Sequence, residues 1–81
     1  MITENNCSIL FAGLSDLIFI DEKGMEYVVN TERLGIGTHD MILFSRRISP
    51  VCGTQKLSAK DRALIVSKIL NLTKNIKWFV V

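Results

Sequence analysis

The chain has 81 residues, ten Lys and Arg against eight Asp and Glu, and a formal net charge of +2. That length makes a single domain, residues 1–81, and so small a charge excludes the dense cationic footprint of a dedicated polyanion binder. Hydrophobic residues make up 48% of the chain, yet the longest apolar runs, such as Leu17 to Ile20 and Met41 to Phe44, are four residues, where a membrane-spanning helix takes about 20.

In chain order, the N-terminal residues Met1 to Asn6 include Glu4 and no basic segment, so no secretory signal is expected and the protein reads as cytoplasmic. In that setting Cys7 and Cys52 are expected to be free thiols. Cys7 to Phe11 is a candidate strand ending near Gly13. Leu17 to Ile20 and Met25 to Val29 are two more, joined by Asp21-Glu22-Lys23-Gly24. That tetrapeptide reads as a hairpin loop, Asp starting the turn and Gly supplying the positive φ at its end. Thr31 to Asp40, with Gly35 and Gly37, reads as an irregular connection to a strand at Met41 to Ser45. A second irregular stretch, Ser49 to Lys56, carries Pro50 and Gly53.

The helix signal follows. Ser58 suits an N-cap, and Asp61 three residues on completes a capping-box spacing in the positive first turn. At 100° per residue Ile65, Val66, Ile69, Leu70 and Leu72 form one apolar face, with Leu64 projecting into the polar side. Asn75 suits the C-terminal cap, and Ile76 to Val80 closes the chain as a strand, with Trp78 expected in the core. The expected fold is α+β: a mostly antiparallel sheet of four to five strands with one amphipathic helix on one face, in the order β-β-β-β-α-β.

Leu17 to Ile20 and Met41 to Phe44 are apolar on both faces, although a strand with one wet face alternates. One helix covers one face. The other is expected to bury itself against a second copy, giving a homodimer or larger oligomer. The alternative is that Met1 to Leu14 folds over it.

Chemistry-bearing residues are few. His39 stands alone in a Gly-containing loop, and Asp40 beside it points the other way on an extended chain, so it is poorly placed to orient the ring. One His and two distant Cys lack the paired spacings of a zinc site, so neither metal nor other cofactor is expected. Gly35-Ile36-Gly37 precedes a strand where a phosphate loop would precede a helix. Arg46 and Arg47, with Lys56, Lys60 and Arg62 around the helix start, make a basic patch suited to phosphate or an acidic protein surface. Weak nucleic-acid binding through the same patch is a lesser reading, since no aromatic residues interleave with it.

The hairpin from Ile18 to Tyr27, the turn Glu32-Arg33-Leu34-Gly35, the strand Met41 to Phe44, the helix start Leu57 to Asp61 and the closing strand together resemble a family of small bacterial immunity proteins from polymorphic toxin systems. The resemblance spans Leu17 to Val81. It departs from the family at Arg46-Arg47-Ile48-Ser49-Pro50, where a tryptophan and prolines tend to stand. It implies a cytoplasmic protein that neutralises a toxin by binding it, and it carries over no site residue. The expected function is therefore a self-associating protein-interaction module, not an enzyme, with Arg46, Arg47, His39 and Arg33 as candidate partner contacts. Its rival is a small-molecule-binding or enzymatic protein with a pocket at a dimer seam near His39.

Overall fold

The computed structural model describes residues 2–4, 6–13, 15–35, 37–53 and 56–81. Six strands form one sheet in sequence order: β1 (Ile2–Glu4), β2 (Cys7–Ala12), β3 (Asp16–Ile20), β4 (Glu26–Arg33), β5 (Met41–Pro50) and β6 (Trp78–Val80). The first four pairings are antiparallel, and β6 joins β5 in parallel after the helix α1 (Ala59–Leu72). A parallel neighbour requires a crossover, and α1 supplies it.

The α+β class and the one-sided helix stand as expected, with differences of detail, among them a closing strand that begins at Trp78 and not at Ile76. The sheet has six strands, because Ile2–Glu4 adds an edge strand before the first expected one. Asn6, at φ 63°, lies between β1 and β2; Asn tolerates this left-handed conformation better than most residues. The N-terminal segment thus widens the sheet and does not fold over its open face. The irregular stretches are also shorter than expected, since Thr31–Arg33 continues β4, and Ser49 and Pro50 continue β5. Ile36, Thr54 and Gln55, which belong to those stretches, lie outside the described residues, as does Leu14.

The local signals act as read. Asp21 Oδ1 accepts from the backbone N–H of Lys23 and of Met25, and the Gly24 N–H donates to the Asp21 carbonyl at 3.0 Å, with Gly24 at φ 82°. At the helix start Asp61 N–H donates to Ser58 Oγ at 3.1 Å and Ser58 N–H to Asp61 Oδ2 at 3.4 Å, a complete capping box. The C-terminal cap falls on Thr73, not Asn75. Thr73 Oγ1 is buried, donates to the Ile69 carbonyl at 2.6 Å and accepts from Trp78 Nε1 at 2.8 Å, tying β6 to the end of α1.

The core lies between sheet and helix. Cys7, Ile9, Leu17, Phe19, Val29, Leu43 and Ile48 project from one sheet face against Ile65, Val66 and Ile69. Trp78 is half-buried at the margin of this cluster, and Tyr27 stacks on Phe19 with ring centroids 6.4 Å apart. Among the described residues no helix is long and apolar enough to cross a membrane.

Candidate functional site

The arginine pair sits where β5 breaks register. Val29 pairs with Ile48 and Thr31 with Leu43, so one residue of β4 faces four of β5, Phe44 to Arg47. An interruption of this kind re-aims side chains. Met41 and Leu43 face the core before it, and Ile48 faces the core after it, which reverses the odd-even alternation.

The pair therefore divides. Arg47 turns to the open sheet face, its guanidinium 5.1 Å above the Phe44 ring centroid and Nη1 donating to Asn30 Oδ1 at 3.3 Å. Arg46 turns to the helix side and lines a groove of about 910 Å³ between α1 and the β5–β6 edge. The apolar floor of this groove is Ala59, Ala63, Val66, Leu70 and Val80, and its cations are Arg46, Arg62, Lys68 and Lys74. A second groove of about 340 Å³ shares Arg46 and Arg62 and adds Lys56. Neither groove is lined by an acidic or an aromatic residue. Arg62 is anchored by donation from Nη1 to the Leu57 carbonyl at 2.7 Å, which fixes its position on the groove.

His39 is exposed, its Nδ1 3.1 Å from Thr38 Oγ1 and its ring centroid 5.4 Å from that of Phe79. It lines neither groove, nor a third around the β3–β4 turn. Asp40 is engaged elsewhere: its Oδ2 accepts from the Lys77 N–H at 2.9 Å, and its own N–H donates to the Lys77 carbonyl, so it fastens the entry to β6. Arg33 ends β4, exposed and opposite Met41. Among the described residues no group of three or more His, Cys, Asp or Glu could hold a metal.

The titratable cluster of the fold is structural. Buried Cys7 donates from Sγ to Glu22 Oε2 at 3.3 Å, and Glu22 pairs with Lys68 of α1 at 3.1 Å. A bond from its own backbone N–H, then those from Lys68 and Cys7, hold the Glu22 carboxyl at about 2. Burial, then the neighbouring Glu22, raises the Cys7 thiol; the Glu22 carboxylate raises Lys68. Both cysteines are free, Cys7 buried and Cys52 exposed.

The face opposite α1 is the other large feature. Strand register places Leu10, Ile18 and Val28 in one row across β2, β3 and β4, with Ile20 beside them. Across β5 and β6, Ile42 pairs with Phe79 on the same face. Leu10 is 42% exposed and Phe79 47% exposed. Comparison with protein-family models, curated proteins and solved structures finds no match to this chain.

Proposed function

We propose that this chain is a small protein-interaction module that self-associates through its uncovered sheet face and acts by binding, in the manner of the immunity proteins its sequence resembles. The observation that supports the reading is that face, an apolar row from Leu10 through Ile18 to Val28 with Ile42 and Phe79 beyond it and no element laid across it among the described residues. Its size matters. The chain exposes 5535 Å², whereas a compact monomer of 9.1 kDa exposes about 4,900 Å². The radius of gyration, 12.0 Å, is close to the roughly 11.7 Å of a compact domain of this length, so an expanded chain does not account for the difference. That surplus belongs to the whole chain, and Leu10 and Phe79 of this face contribute to it alongside Leu64, Val80 and Val81 elsewhere.

Light scattering over a concentration series tests this reading. A mass near twice 9.1 kDa is expected for the native chain, and Ile18→Glu, which sets like charges face to face across such an interface, is expected to give a folded monomer. A native monomer at every concentration removes the self-association. Catalysis beside His39 draws no support from the ring's position, exposed and outside every groove described above.

A further inference from the structure

We infer that the groove along α1 is a docking site for an acidic amphipathic helix of a protein partner. The inference rests on the interaction-module reading, but it concerns the opposite side of the molecule from the sheet face.

Spacing carries the first part of the argument. Ala59, Ala63, Val66 and Leu70 line the groove from α1 at intervals of four, three and four residues. That is the alternation of a and d positions in a two-helix seam. It shares Val66 with the core stripe of Ile65 and Ile69, and Leu70 packs partly against that core, so Ala59 and Ala63 are its open end. From Ala59 to Leu70 the seam runs about 17 Å, enough for about three turns of a docked helix. Small residues at Ala59 and Ala63 leave room for a second backbone to come close. Across the groove Val80 supplies a further apolar contact, 38% exposed.

Charge carries the second part. Arg62, Ser67 and Lys74 fall at the positions that flank such a seam, and Arg46 stands on the opposite bank from β5. Lys56 extends the cationic rim past the helix start. Lys68 is already engaged by Glu22, which leaves Arg46, Arg62 and Lys74 facing the groove, and Lys56 the second groove, with no carboxylate paired to them among the described residues. An occupant with leucines on one face and glutamates on its flanks matches both floor and rim, the helix-in-groove mode of recognition. A single-stranded nucleic acid matches only the rim, since no aromatic side chain lines either groove to stack a base.

The probe is a labelled synthetic peptide of about 21 residues, three heptads with Leu at a and d and Glu at e and g. Its controls are the same peptide with Lys for Glu, and an oligothymidylate. Fluorescence anisotropy is expected to show saturable binding of the Glu peptide that weakens with salt, and no comparable binding of the Lys peptide. The double variant Arg46→Glu/Lys74→Glu, both exposed positions, is expected to weaken binding about tenfold or more while leaving the circular dichroism spectrum unchanged. Arg47→Glu, on the other sheet face, is expected to leave it intact. Equal binding of both peptides, tighter binding of the oligonucleotide, no binding of the Glu peptide, or indifference to the double variant each overturns the assignment. None of these bears on the solution mass, so the two proposals fail separately.

Discussion

Thr73 shows how much one side chain can settle. It ends α1, its hydroxyl donates to the Ile69 carbonyl, and the same oxygen receives Trp78 Nε1. Valine keeps the shape and removes both bonds. Thr73→Val is expected to lower the unfolding free energy by about 1–3 kcal/mol, the usual cost of leaving a buried donor unpaired, while Thr73→Ser keeps most of it; urea unfolding followed by Trp78 fluorescence reads the difference. Glu22 and Lys68 make a pH prediction. The folded Glu22 carboxyl lies at about 2, below its ordinary 4.5, so its contribution is complete above pH 4.5 and lost as pH falls toward 2. Lys68 is raised above 10.5, so its contribution is complete below that value and lost as pH rises past it. The stability difference between the native chain and Glu22→Gln should therefore be constant from about pH 5 to 8 and shrink at both ends, as measured by thermal unfolding across pH. The alkaline loss begins with Cys7, whose thiol burial and then Glu22 raise above its ordinary 9.0.

At the scale of elements, what was legible in the sequence is what local chemistry determines. Asp21 and Gly24 specify a hairpin by their own hydrogen bonds and φ, and Ser58 with Asp61 specifies a helix start, so neither depends on distant residues. Ile2–Glu4 was not legible, because three residues carry too little pattern and become a strand only by pairing with β2. Nor was the length of β5. Arg46, Arg47 and Pro50 resemble a loop, yet they complete a strand because the interruption after Leu43 lets Ile48 reach the core and Pro50 pair with Tyr27. The alternation that argues against Asp40 as a partner of His39 applies equally to these arginines, and it splits a basic patch that the linear sequence unites. The groove seam was in the sequence as well, in the spacing of Ala59, Ala63, Val66 and Leu70, but the stronger stripe of Ile65, Val66 and Ile69 hides it until the packing shows which line is used by the core.

For the molecule as a whole, the decisive quantity is how much apolar surface one helix can cover. A six-stranded sheet with a single 14-residue helix has two faces and one lid. The buried set is correspondingly modest, since Ile9, Leu17, Phe19, Val29, Leu43 and Ile69 are the large apolar side chains that are fully enclosed, and a chain this short draws only a few kcal/mol from one such core. If a second copy covers the row of Leu10, Ile18 and Val28, the association must appear in the folding equilibrium, because a partner that binds the folded chain and not the unfolded one stabilises it by mass action. The melting temperature of the native chain is then expected to rise steadily with protein concentration, and that of Ile18→Glu to be lower and flat. The comparison separates covering of the face by a copy from simple tolerance of an exposed apolar row. In the second case the native chain also melts at a concentration-independent temperature, and Ile18→Glu falls below it by a constant amount, the cross-strand contacts it loses to Leu10 and Val28. Scanning calorimetry over a hundredfold range of concentration distinguishes the two outcomes.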